Sequence, residues 1–208
     1  PAMRTTRTQM MLSLAIAVAA GSLHAAEAPP ARPNILLMVG DDIGWGDIGC
    51  YGSTQIQTPN IDQMAKEGLR FTSGYVTAAL CSPSRAAMLT GRYQQRNSLE
   101  NNRLAESKDA GLDLKLKTLA DVLGAAGYVT GLVGKWHLGV GVNKEYTPLR
   151  RGFQEFFGFY SYEASYKPAT LIRGEEPVRE TRRSTVAFAE EACAFIDRHG
   201  DKPFFLEV

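Results

Sequence analysis

Apolar residues in this chain gather into a few short continuous runs, separated by stretches with helical spacing. The run Asn34-Ile35-Leu36-Leu37-Met38-Val39-Gly40 follows a proline and ends in two aspartates. Its length and flanks predict a strand buried on both faces, as in a parallel sheet. Tyr128 to Gly134 predicts a second such strand, and Pro203 to Val208 begins a third. Between them lie three amphipathic segments. Thr58 and Pro59 suit the N-cap and first turn of a helix, Ile61, Met64, Ala65 and Leu69 form a stripe against the sheet, and Gly68 stops it. Thr118 to Gly127 carries Leu119, Val122, Leu123 and Ala126 on one face. Ser184 to Ile196 carries Val186, Ala189, Cys193 and Ile196, which places Cys193 in the core. Helix followed by strand, repeated, predicts a doubly wound, mostly parallel sheet between helices.

The remaining segments are less regular. Tyr93 to Lys117 is polar and weakly patterned, and reads as a surface excursion. Tyr146 to Tyr166 is rich in aromatics, among them Phe153, Phe156, Phe157, Phe159, Tyr160 and Tyr162. Packing of an irregular segment is the better reading there, ahead of a sugar or aryl pocket. Leu171 to Pro177, with Gly174 at its turn, reads as a surface hairpin or loop.

The first residues do not belong to this pattern. Arg4 and Arg7 precede a short apolar core, Met10 to Ala20, and small residues follow around Ala26-Glu27-Ala28. That order is the order of a secretory signal peptide, here 1–28, with Pro1-Ala2 ahead of Met3 read as either an upstream extension or a wrong start site. The apolar core is too short for a stable membrane span. An exported chain, periplasmic or secreted, is expected. A net charge of +1 gives no bulk attraction for nucleic acid. Three cysteines, Cys50, Cys81 and Cys193, make no disulfide framework.

Three stretches carry candidate chemistry. Asp41 and Asp42 stand at the carboxyl end of the first strand, where open α/β sheets bind ligands. Two adjacent carboxylates there repel unless a hard cation such as Ca²⁺ or Mg²⁺ lies between them; a solvated acidic turn is the equal alternative. Lys135 and His137 follow the second strand. In an extended segment they point the same way and suit an oxyanion and a proton. The run Cys81-Ser82-Pro83-Ser84-Arg85-Ala86-Ala87-Met88-Leu89-Thr90-Gly91-Arg92 reads as a helix with Ser82 as N-cap and Pro83 at N1. Cys81 would then precede a helix N-terminus whose free N–H groups and dipole favour an anion, with Arg85 one turn on.

That last run resembles the signature of the type I sulfatases, Cys-x-Pro-Ser-Arg followed by Leu-Thr-Gly-Arg. Gly134-Lys135-Trp136-His137-Leu138-Gly139 resembles the second signature of that family. Asn34 to Asp42, with Gly44 and Gly46-Asp47, resembles its N-terminal strand and metal loop. The resemblance covers Asn34 to Val208. It implies an alkaline phosphatase-like three-layer α/β sandwich with a mostly parallel central sheet, incomplete at its C-terminal side. It also implies a sulfate-ester hydrolase acting on an aryl or sugar sulfate. Cys81 would be converted by a formylglycine-generating enzyme to Cα-formylglycine, whose hydrate attacks sulfur. Asp41, Asp42 and residue 81 would ligate Ca²⁺, or Mg²⁺. Lys135 would bind the sulfate group, with Arg85 stabilising charge. His137 would contact the formylglycine hydroxyls and act as the base that expels sulfate. The general acid and the remaining metal ligands would lie beyond Val208, so the chain alone is expected to have little activity. The alternatives are a phosphonate or phosphodiester hydrolase of the same superfamily, a non-catalytic protein holding a sulfated glycan, and an exported protein using Cys81 as a free thiol.

Overall fold

The computed structural model describes residues 32–102, 111–161 and 169–208; the expected signal peptide 1–28, Tyr162 and Tyr166 lie outside them. Residues Pro33–Val208 form one unit. Six strands make one sheet: β1 (Ile35–Leu37), β2 (Val129–Lys135), β3 (Glu155–Phe159), β4 (Ala169–Arg173), β5 (Glu176–Glu180) and β6 (Phe204–Glu207). Their spatial order is β1-β6-β2-β3-β4-β5. β1, β6, β2 and β3 run parallel, while β4 and β5 are antiparallel additions at one side. The four main helices are α1 (Pro59–Glu67), α2 (Cys81–Thr90), α3 (Leu119–Ala125) and α4 (Ser184–His199).

Alternation along the central strands explains why they read as continuous apolar runs. On one face Leu132, Phe156 and Phe205 pack with Ala86 and Leu89 of α2, Ala120 of α3, Leu99, Leu112 and Trp136. On the other, Val133, Phe157, Phe204 and Leu206 pack with Ala187, Ala192 and Phe195 of α4. Each central strand is thus apolar on both sides, and the layers are helix, sheet, helix. The β2–β3 pairing is close: Gly134 lies opposite Gly158, and a Cβ on Gly158 would run into the Gly134 carbonyl oxygen.

Several expectations need correction. β1 is not buried on both faces; among the described residues it is an edge strand paired with β6 alone, and Leu36 and Met38 are exposed. The stripe on α1 does not pack against the sheet either, for Ile61, Met64 and Leu69 are all exposed. α1 is instead tied to the loop before it. Asp62 accepts from the Cys50 N–H at 2.6 Å and the Thr58 hydroxyl at 2.9 Å, and Thr58 Oγ1 accepts from the Gly49 N–H. The segment Tyr93 to Lys117 is not wholly superficial. Leu99 and Leu112 are fully buried, single anchors too isolated to create a periodic signal.

The aromatic segment contains a regular strand, β3, with Phe156 and Phe157 serving opposite core faces. Thr118 does cap α3, in a reciprocal pair with Asp121, but Val122 faces outward. In α4 the stripe is displaced. Ser184, Ala187, Ala192 and Phe195 are buried, whereas Val186 and Cys193 are exposed. Two apolar stripes compete on that helix, and the one carrying Phe188 and Phe195 wins because the rings bury more area. His199 is the last residue of α4, and its Nε2 lies 2.5 Å from Glu155 Oε1. The three cysteines are free, and the β4–β5 hairpin turns at Gly174 (φ 64°).

Candidate active site

The parallel order brings three strand ends to one edge of the sheet. β1 leads into Asp41-Asp42, β2 ends on Lys135, and β6, between them, ends on Glu207. The N-terminus of α2 adds Cys81 and Arg85. A cleft of about 470 Å³ opens there, lined by Asp41, Asp42, Arg85, Lys135, Ser161 and Glu207 among others. A second, of about 270 Å³, lies on the Cys81 side and shares Asp41, Asp42 and Arg85.

Asp41 is the hub. Lys135 Nζ donates to its Oδ2 at 2.7 Å, Arg85 Nη2 lies 3.9 Å from the same oxygen, and Cys81 Sγ lies 3.6 Å from Oδ1. Partial burial pushes the Asp41 carboxyl up. The hydrogen bond and charge of Lys135, the charge of Arg85 and the Cys81 thiol outweigh that and hold it below the usual carboxylate range. Arg85, nearly buried, is fixed to the sheet by donating Nη1 to the Lys135 carbonyl at 2.8 Å. Asp42 sits in the left-handed region (φ 57°), a conformation aspartate tolerates better than most residues, which turns the chain directly after its neighbour.

The donors of Asp41, Asp42 and Cys81 lie within 4.8 Å of one another. Two carboxylates and a third donor at that spacing fit a hard divalent cation, and conversion of the thiol to an oxygen donor would improve the match. The chemistry of this donor set therefore agrees with the cation expected from the sequence.

Two local readings are corrected here. α2 begins at Cys81 itself, with Leu80 as N-cap; Ser82 and Pro83 are its second and third residues. The helix end offers few free donors. The Ser82 N–H goes to Asn102 Oδ1 at 3.0 Å, Pro83 has none, and the Ser84 N–H goes to the Leu80 carbonyl. An oxyanion in this cleft would therefore meet the Arg85 and Lys135 side chains rather than backbone N–H groups. Nor do Lys135 and His137 share one extended segment. β2 ends at Lys135, and His137 has φ 58°, is almost fully buried, and lies outside the lining of both clefts. Sequence reasoning missed Glu207, Ser161 and Asn102. Only Glu207 carried a signal, a single carboxylate ending the apolar run Phe204-Phe205-Leu206.

A mostly parallel sheet between helices, with acidic, basic and thiol groups converging at its carboxyl edge, defines an open α/β protein with its ligand site at the strand ends. The sulfatase family model matches residues 33–208, so the chain belongs to the sulfatase family. Human arylsulfatase A is 50% identical over 222 residues, covering 93% of this chain and 43% of the relative. The crystal structure of Ps i-CgsB with k-i-k-neocarrahexaose superposes with a TM-score of 0.80 at 34% identity, covering 85% of this chain and 44% of that one. A solved protein in complex with its substrate D-glucosamine-2-N,6-O-disulfate superposes with a TM-score of 0.72 at 30% identity, covering 85% of this chain and 33% of that one. The chain thus spans less than half the length of these relatives. The likeness bears out the expected alkaline phosphatase-like α/β fold.

Proposed function

We propose that this chain carries the N-terminal part of the catalytic site of an exported sulfate-ester hydrolase, acting on an aryl or sugar sulfate. One observation supports the reading above others: Cys81, Asp41, Lys135 and Arg85 meet at the carboxyl edge of the parallel strands. Residue 81, after conversion to Cα-formylglycine by a formylglycine-generating enzyme, supplies a hydrated aldehyde as nucleophile. Asp41 and Asp42 would hold Ca²⁺, or Mg²⁺, which would supply a positive charge to oppose negative charge on nearby oxygens. Lys135 and Arg85 bind the sulfuryl oxygens and oppose the charge that grows on them during transfer. Pairing with Asp41 keeps the Lys135 ammonium in place before substrate arrives. The role of base for the later proton removal comes to His137 from the family resemblance alone, since here it is buried and lines neither cleft. Arylsulfatase A is named for aryl sulfates and the glucosamine disulfate complex holds a sulfated sugar, which supports both substrate classes.

Peptide mass spectrometry of residue 81, after co-expression with a formylglycine-generating enzyme and aldehyde trapping, tests the reading. An aldehyde at position 81 is expected. An intact cysteine, in a host that converts a control sulfatase, would refute the nucleophile.

A further inference from the structure

Glu207 is the one carboxylate that breaks the apolar run of β6 (Phe204, Phe205 and Leu206 are all buried). It is itself only 2% exposed, yet it lines the larger cleft. Its Oε1 lies 3.8 Å from Arg85 Nη1, and its Oε2 has no hydrogen-bond partner. A buried carboxylate so poorly satisfied does nothing for stability that a leucine would not do better. Arg85 therefore stands between two acids of different character. Asp41 is accessible and faces Cys81 and Lys135, whereas Glu207 is enclosed on the sheet.

We infer that Glu207 is a positioning residue for Arg85. It holds the guanidinium from the β6 side, while the other N–H groups stay directed at the oxyanion. Its importance grows when Asp41 turns to a cation, because Glu207 is then the remaining carboxylate beside Arg85. The inference rests on the reading of the cleft as an oxyanion site.

The test uses the full chain, inorganic sulfate as the probe, and NMR of the Arg85 guanidinium, assigned by its loss in Arg85→Lys. In the wild type, Arg85 is expected to show restricted, separate Nη signals that shift on sulfate titration. Glu207→Leu is expected to average those signals and raise the sulfate Kd about threefold or more, since the ion pair it removes is, at 3.8 Å, longer than a hydrogen bond. Glu207→Gln keeps the shape and one acceptor, so it is expected to fall between them; it also decides the matter if the leucine variant does not fold. Removing a carboxylate purely as a charge would have the opposite effect and tighten anion binding. Sulfate affinity equal to or higher than wild type in the Glu207 variants, with Arg85 signals unchanged, would overturn the inference. Arg85→Ala separates the two levels. If it weakens sulfate binding while the Glu207 variants do not, only the inference falls. If the wild type binds no sulfate, or Arg85→Ala binds it equally well, the oxyanion reading falls and the inference with it.

Discussion

Replacing Glu207 by Gln should abolish a loss of stability that the wild type suffers between pH 5 and 8. Burial pushes the Glu207 carboxyl up to about 7 from 4.5, against the pull of Arg85. Between those two values the folded chain keeps a proton that the unfolded chain releases. Stability from this group is therefore fully present below pH 4.5 and is lost as pH rises through 7. Integrated from pH 5 to pH 8, the loss is about 2–3 kcal/mol, a large share of the roughly 5–15 kcal/mol that holds a typical domain folded. With a urea m-value of roughly 2 kcal/mol/M, the wild-type midpoint should fall by about 1 M over that range. Asp41, Glu155 and Glu191 are all held below the usual carboxylate range, so their contributions change in more acidic solution. Urea unfolding of wild type and Glu207→Gln, followed by circular dichroism at pH 5, 6, 7 and 8, reads the difference directly. Midpoints that move in parallel for the two proteins would refute the reasoning, since the variant lacks the titrating group.

Three further outcomes are expected. Asp41→Asn and Asp42→Asn should each weaken Ca²⁺ binding at least about tenfold by calorimetry, because each removes a charged oxygen donor; unchanged affinity in both would remove the pair as ligands. Gly158→Ala should destabilise by about 3 kcal/mol or more in urea unfolding, since its Cβ meets the Gly134 carbonyl and backbone must move; a neutral effect would contradict the β2–β3 register. Iodoacetamide applied to the folded chain should label Cys193 before Cys50, with peptide mass spectrometry as the readout, because only Cys193 of that pair is exposed; the reverse order would contradict the orientation of α4.

The chemistry legible in the sequence was local. Asp41-Asp42 after a strand, Lys135 at the end of another, and the run from Cys81 to Arg92 each depend on neighbours within a few residues. Apolar runs and capping signals could therefore place Asp41-Asp42 and Lys135 at strand ends, and Cys81 just before a helix N-terminus with Arg85 one turn on. The helix–strand alternation likewise sufficed for a mostly parallel sheet. Contacts between remote segments decided the rest. Lys135 meets Asp41 only because β1 and β2 flank β6 in space. The first turn of α2 has few donors left for an anion, in part because Asn102 accepts the Ser82 N–H from a loop twenty residues on. Which of two stripes α4 buries depends on the depth of the sheet beneath Phe195. The outward face of β1 follows from its place at the edge, which no periodicity records. Glu207 is a polar residue at the end of an apolar strand when read alone. Only the fold places it beside Arg85, where burial shifts its proton affinity, because the dielectric around a side chain is a property of its neighbours in space and not of its neighbours in sequence.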